Sequence, residues 1–68
     1  MTRYDVIKMV VEQENRAEAI RKDIDHMLEL QTFAGPAEAD NLNEQIKRQE
    51  IVRQGCLAKA AEYKALIA

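Results

Sequence analysis

The stretch Thr32-Phe33-Ala34-Gly35-Pro36 decides the fold, because it is the only cluster of helix-breaking residues in the chain. Gly35 is expected to end one helix and Pro36 to open the next, because glycine is favoured at helix ends and proline as the first residue of a helix. The remainder of the 68-residue chain contains one further glycine and no further proline. We therefore expect one turn over about residues 32–35, with a long helix on each side, over about 3–31 and 36–67.

Each flanking segment has the spacing of apolar residues that is typical of an amphipathic helix. In the first segment these residues fall within roughly 100° of a helical wheel, the width of one buried stripe. In the second they recur in alternating steps of three and four residues, the spacing of a coiled-coil seam. The predicted seam consists of Val6, Met9, Val10, Gln13, Ala17, Ile20, Ile24, Met27, Leu28 and Gln31, and of Ala39, Leu42, Ile46, Gln49, Arg53, Cys56, Ala60, Tyr63 and Ile67.

Folding the chain back at the turn places Met27 opposite Leu42 and Val6 opposite Tyr63, so the seam closes along its whole length. The predicted fold class is all-α: an antiparallel two-helix hairpin, or helical coiled coil, forming a single domain over residues 1–68. Chains this short rarely obtain more than about 3–5 kcal/mol from one core. Because two helices leave one side of the seam in water, we expect the hairpin to dimerise into a four-helix bundle.

Charged and polar residues support both helices locally. Thr2 followed by Asp5 has the pattern of a capping box with Asp in place of the usual Glu, and Glu38 places an acid in the first turn of the second helix. Pairs of opposite charge four residues apart are expected on the solvated faces. These pairs are Glu12 with Arg16, Glu18 with Lys22, and Glu44 with Arg48.

Apolar residues outside the seam collect at the open end of the hairpin, far from the turn. An exposed apolar patch larger than a monomer usually carries indicates an interaction site. Glycine inside a helix costs about 1 kcal/mol relative to alanine, and close approach of another helix would compensate; a tolerated glycine on a solvated face is the alternative. The predicted partner or dimer interface consists of Tyr4, Ile7 and Val11 on the first helix and Ile51, Gly55, Ala58, Ala65 and Leu66 on the second.

The middle of the seam is polar, at Gln13, Gln49 and Arg53. One interpretation is that these residues fix the register and oligomeric state, with Arg53 laying its aliphatic stem over Ala17 and directing its guanidinium to water or a nearby Glu. The other interpretation is that they line a groove that a partner contacts, since Arg is a favoured anchor residue at interfaces. Both interpretations remain open from the sequence.

The charges are balanced along the chain, with ten Lys and Arg against twelve Asp and Glu. Binding to nucleic acid is therefore unlikely, although Arg16, Lys47, Arg48 and Lys59 could supply phosphate contacts. No run of residues is long and apolar enough to span a membrane, and the N-terminus lacks the pattern of a signal peptide. A single cysteine cannot form an internal disulfide, which favours the cytoplasm.

No pattern of residues indicates a catalytic, cofactor or metal site. His26 is the only histidine and is expected to be a solvated surface residue, and Cys56 faces Gln13 and not a basic residue. The chain contains no glycine-rich phosphate loop, Glu-x-x-His repeat or Cys-x-x-Cys motif. The sequence therefore predicts a protein that is not an enzyme.

The leading interpretation is a small module that dimerises and sequesters or inhibits a partner protein, by helix-in-groove recognition. In its length and proline-containing turn the chain resembles the hairpin co-chaperones of type III secretion needle subunits; a phage-encoded inhibitor of a host regulator is equally compatible. One alternative is an RNA-binding hairpin dimer, similar in architecture and in the lone Cys of its second helix to the plasmid copy-number regulator Rop. The other is a structural subunit of a larger phage or secretion assembly.

Overall fold

The computed structural model describes all 68 residues and contains two α-helices, α1 (Arg3–Phe33) and α2 (Pro36–Ala65). The helices pack against each other as a hairpin without any strand, which confirms the predicted fold class. The hairpin is a thin rod that measures 51 by 14 by 14 Å over its Cα atoms. α1 runs two residues beyond its predicted end and α2 stops two residues before its own, so only Ala34 and Gly35 connect them.

The connection differs from the expected glycine-ended helix. Ala34 caps α1, and its backbone N–H donates to the carbonyl of Gln31 at 3.3 Å. Gly35 is extended, with φ −71° and ψ 170°, and is the N-cap of α2. The residue before a proline is sterically pushed toward this extended region, so Pro36 and not a left-handed glycine sets the turn. The prediction that Gly35 ends the first helix is therefore wrong, while Pro36 opens α2 as expected.

The start of α1 has the capping box that its sequence predicts. The Thr2 hydroxyl accepts a hydrogen bond from the backbone N–H of Asp5 at 3.1 Å, and the Asp5 carboxylate accepts one from the backbone N–H of Thr2 at 3.0 Å. These two bonds satisfy backbone donors that a helix start otherwise leaves unpaired. α2 has no such side-chain cap, because its N-cap residue is Gly35.

The core is a single line of aliphatic side chains between the helices. The other seam residues are half-buried, apart from Leu28, which is 48% exposed. Leu28 lies at the edge of the predicted stripe, where two helices alone do not cover it, so its assignment to the seam is wrong. The buried residues are Val6, Val10, Ala17, Ile24 and Ala60.

The surface area shows how little this core conceals. The hairpin exposes 5,099 Å². A compact monomer of 7.8 kDa would expose about 4,400 Å², so the rod leaves several hundred Å² more surface in water than a globular chain of its mass. Eleven large hydrophobic side chains are among the exposed residues.

Most surface ion pairs within one helix join residues three positions apart, and only Arg21 with Asp25 has a spacing of four. Glu18 pairs with Arg21 and not with Lys22, and Glu44 lies 3.9 Å from Lys47 in place of Arg48. Residues three and four positions apart are both neighbours on a helix surface, so either spacing allows a pair. The predicted i,i+4 partners are wrong in these two cases, and Glu12 forms no ion pair with Arg16.

Candidate interaction surfaces

One broad face of the hairpin is crossed by ion pairs. Lys64 Nζ of α2 lies 2.9 Å from Glu14 Oε2 of α1, the only ion pair between the two helices. Along α1, Arg21 contacts Glu18 and Asp25, each at 2.6 Å. Glu14 and Arg21 are seven residues apart and therefore share one side of α1. We call this surface the ion-pair face.

Arg53 of the polar seam belongs to the same charged network. Its Nη1 donates to Glu50 Oε1 at 2.9 Å, and its side chain is only 26% exposed. Gln54 Nε2 donates to the same Glu50 oxygen at 2.8 Å. The guanidinium of Arg53 is thus occupied by a nearby carboxylate. Gln13 and Gln49, the other two candidate groove residues, are half-buried, and both interpretations of them stay open.

The network shifts the titration of its members toward their charged forms. The hydrogen bond from Arg21 lowers the pKa of Glu18 below its ordinary value of 4.5, and the charges of Lys22 and Arg53 add to the effect. The hydrogen bond from Gln54, followed by the charge of Arg53, likewise lowers the pKa of Glu50. These carboxylates therefore keep their charge to a lower pH than a carboxyl group without such partners.

The opposite broad face contains a shallow cleft of about 430 Å³ near the turn. Helical spacing continues this face along the rod, because Gln45, Val52, Cys56 and Tyr63 lie on one side of α2. Its members on α1, at the matching spacing, are Met9, Ile20 and Met27. We call this surface the cleft face. The cleft itself is lined by Leu30, Phe33, Ala34, Glu38, Asn41, Leu42 and Gln45.

The predicted interface residues are exposed, but they lie on two separate surfaces. Tyr4 is 74% exposed and shares the outer flank of α1 with Val11 and with Ile7 at its edge. Ile51, 73% exposed, lies on the outer flank of α2. Since each flank points away from the seam on its own helix, the two flanks face in opposite directions. Gly55, Ala58 and Ala65 are also exposed on α2, and Leu66 caps its C-terminal end.

The turn end also exposes apolar side chains, none of which belongs to the predicted interface. Phe33 is 89% exposed, and Leu30 and Leu28 are each exposed by nearly half. Leu30 and Phe33 do not follow the spacing of the seam residues. Their positions in the sequence could therefore have identified them as exposed apolar residues. Exposed apolar residues therefore occur at both ends of the rod and not only at the open end.

The structure also reveals an uneven distribution of charge. We define the turn half as residues 23–46 and the open half as residues 1–22 with 47–68. The turn half carries no Lys or Arg and six acidic residues, a net charge of −6. The open half carries all ten Lys and Arg against six acidic residues, a net charge of +4. The turn-half acids are Asp23, Asp25, Glu29, Glu38, Asp40 and Glu44.

The remaining candidate groups lie apart from one another. His26 is exposed and Cys56 is half-buried, and no three His, Cys, Asp or Glu side chains are placed to hold a metal ion. Of the candidate phosphate contacts, Lys47 and Lys59 pair with Glu44 and Glu62. No helix has a stretch long and apolar enough to cross a membrane.

In comparisons with known proteins, no family model matches the chain, and no curated protein or solved structure matches it.

Proposed function

We propose that this protein is a small cytoplasmic protein-binding module that self-associates and sequesters a partner protein. The observation that carries the proposal is the imbalance between surface and core: eleven large hydrophobic side chains are exposed and only five residues are buried. Large exposed apolar patches on soluble proteins commonly mark interaction sites. A hairpin with this imbalance can bury more apolar side chains by contacting other chains than it buries between its own two helices.

The outer flank of α1 is the surface that we assign to the partner. Tyr4, Ile7 and Val11 recur at i, i+3 and i+7, the spacing with which a helix presents anchors to a groove. Tyr4 is also of a residue type enriched at interface hot spots. All three side chains are exposed, so a partner can reach them without opening the hairpin.

Affinity capture with matched variants tests this assignment. Val11→Lys places a charge within the stripe, and Asn15→Lys places the same charge one turn further along the same flank, where the replaced side chain is already polar. Both positions are exposed, so both variants should keep the melting temperature within a few degrees of the original. We expect Val11→Lys to lose the captured partner and Asn15→Lys to keep it. Equal capture by both variants would contradict the assignment.

Sedimentation of the purified chain separates this proposal from its alternatives. A discrete small oligomer at micromolar concentration supports the module, whereas oligomers that grow continuously with concentration would favour the structural-subunit alternative. Binding to RNA that weakens steeply with added salt would favour the Rop-like alternative. A stable monomer would contradict the self-association that we propose.

A further inference from the structure

We infer that two copies of the hairpin associate antiparallel, cleft face to cleft face, so that the turn half of each copy covers the open half of the other. The inference rests on the self-association proposed above and specifies its surface and orientation. Its occupant is a second copy of this chain. Three properties of the hairpin support it: the distribution of charge, the difference between the two broad faces, and the area that one face offers.

Charge determines the orientation. Side-by-side packing in the parallel sense would place a turn half of net charge −6 against another of −6, and an open half of +4 against another of +4. The antiparallel sense places −6 against +4 twice. Complementary potentials favour association and juxtaposed like charges oppose it. Both partners of this complementarity are present in one chain, so no other molecule is needed to supply the positive surface.

The difference between the broad faces determines which surface is covered. On the ion-pair face, Glu14 pairs with Lys64 and Arg21 pairs with two carboxylates, so covering this face would remove satisfied charges from water. Such desolvation is costly and is often not recovered. The cleft face has no ion pair between the two helices, carries Glu38 at the cleft, and presents half-buried apolar side chains along most of its length. These are Met9, Ile20, Met27, Cys56 and Tyr63, continued by Leu30 and Leu42 at the cleft.

The area of one face is close to what a stable pair requires. A surface 51 Å long and 14 Å wide offers about 700 Å² per copy. Standard protein interfaces bury roughly 800 Å² per partner. Packing two hairpins face to face would also give the four-helix arrangement in which the open side of the seam is covered. The outer flank of α1, which we assign to the partner protein, remains accessible in this arrangement.

A distance measurement between two copies tests the orientation. Ala37→Cys in a Cys56→Ala background carries one spin label at the turn end, on an exposed residue. In the antiparallel pair the two labels lie at opposite ends of the assembly, and double electron–electron resonance should report a separation approaching the 51 Å length of the hairpin. A parallel pair would bring the labels to about 10–20 Å, the spacing of neighbouring helices. That shorter distance would overturn the inference but leave the self-association intact.

The unmodified chain provides a second test that needs no label. Added salt screens charges, so raising NaCl should weaken the antiparallel pair and strengthen a parallel one. A dissociation constant that falls as salt rises would therefore overturn the inference. If the chain stays monomeric under all conditions, the self-association of the proposed function fails as well, so the two failures are distinguishable.

Charge reversal with complementation provides the third test. Asp23→Lys with Glu38→Lys lowers the negative charge of the turn half, and Arg16→Glu with Lys59→Glu lowers the positive charge of the open half. In the antiparallel pair each double variant should self-associate about tenfold more weakly at low salt. An equimolar mixture of the two should recover part of the lost affinity, because one end of the mixed pair then places an unaltered turn half of net charge −6 against an unaltered open half of +4. Tighter self-association of the Asp23→Lys, Glu38→Lys variant, which a parallel pair predicts, would contradict the inference.

Discussion

The two halves of the hairpin differ in how they are held together. The open half contains four of the five buried residues and every Lys and Arg of the chain. The turn half contains only Ile24 from the buried set, together with six acidic residues and an apolar cleft. The half with the better packing is therefore the one that is farther from the covalent turn.

The covalent connection explains this difference. In the turn half only Ala34 and Gly35 separate the helices, so the entropy cost of bringing these segments together is small. In the open half the helical segments that meet are far apart in the sequence, so side-chain packing must hold them together. Val6, Val10, Ala17 and Ala60 provide it. The turn half can consequently tolerate repulsion among its acids and incomplete packing at the cleft.

The largest expected effect comes from placing the same polar side chain at one apolar position of α1 in each half. Val10 is 6% exposed in the open half, whereas Leu28 is half exposed in the turn half. Val10→Asn buries an amide without a partner and loses apolar contacts, and we expect it to cost about 2–3 kcal/mol of unfolding free energy. Leu28→Asn should cost less than about 1 kcal/mol, because its side chain can still reach water. Urea denaturation followed by circular dichroism measures both.

Equal losses for the two variants would mean that packing is uniform along the rod and would remove the distinction between the halves. Thermal melts of the same variants provide the control for oligomerisation, since a change confined to the dimer depends on protein concentration and a change within one hairpin does not.

The sequence predicted the helical elements well because their signals are local. The turn at Gly35 and Pro36, the Thr2 capping box and the apolar seam all depend on residues within a few positions of one another. Leu28 was misassigned because burial at the edge of a stripe depends on what the facing helix covers. Gly35 was misassigned because Pro36 constrains its conformation more strongly than the helix end before it.

The charge asymmetry was missed for a different reason. Counting from the N-terminus to the turn and from the turn to the C-terminus gives an even balance, since each count includes part of both halves. Folding brings residues 23–31 beside residues 38–46, and only then do the acids gather at one end. The absence of Lys and Arg between residues 23 and 46 was the available signal, but it becomes meaningful only once the hairpin is assumed.

The two glycines, one in each half, allow a smaller test of the comparison. A Cβ added at Gly55 meets nothing within 4 Å, and the residue lies inside α2, so Gly55→Ala should add about 1 kcal/mol of stability. Gly35→Ser should add only a few tenths, by supplying the side-chain cap that α2 lacks. Denaturant midpoints give both values. If Gly55→Ala instead weakens self-association in sedimentation, a second helix approaches Gly55 closely and the flank of α2 belongs to the interface.

The smallest expected effect concerns the contribution of carboxylates to stability, which is favourable in the open half and unfavourable in the turn half. Hydrogen bonds from Arg21 and Gln54 lower the pKa values of Glu18 and Glu50, both in the open half. A carboxylate whose pKa is lower in the folded state contributes stability that is fully present above its ordinary pKa of 4.5 and is lost as the pH falls through the lowered value. Acidification below pH 4.5 should therefore remove the stability that these two groups supply.

Single amide variants separate this loss from the repulsion in the turn half. Glu18→Gln breaks the contact with Arg21 and should lower the melting temperature slightly at pH 7, with the difference vanishing in acid. Glu29 is one of the six acids of the turn half and lies near the C-terminal end of α1, where negative charge is unfavourable. Glu29→Gln removes this charge and should raise the melting temperature at pH 7. Melts from pH 3 to 7 at low salt measure both differences. Shifts of the same sign at pH 7 would show that the acids of the two halves experience similar surroundings, and the electrostatic distinction between the halves would then fail even if the difference in packing held.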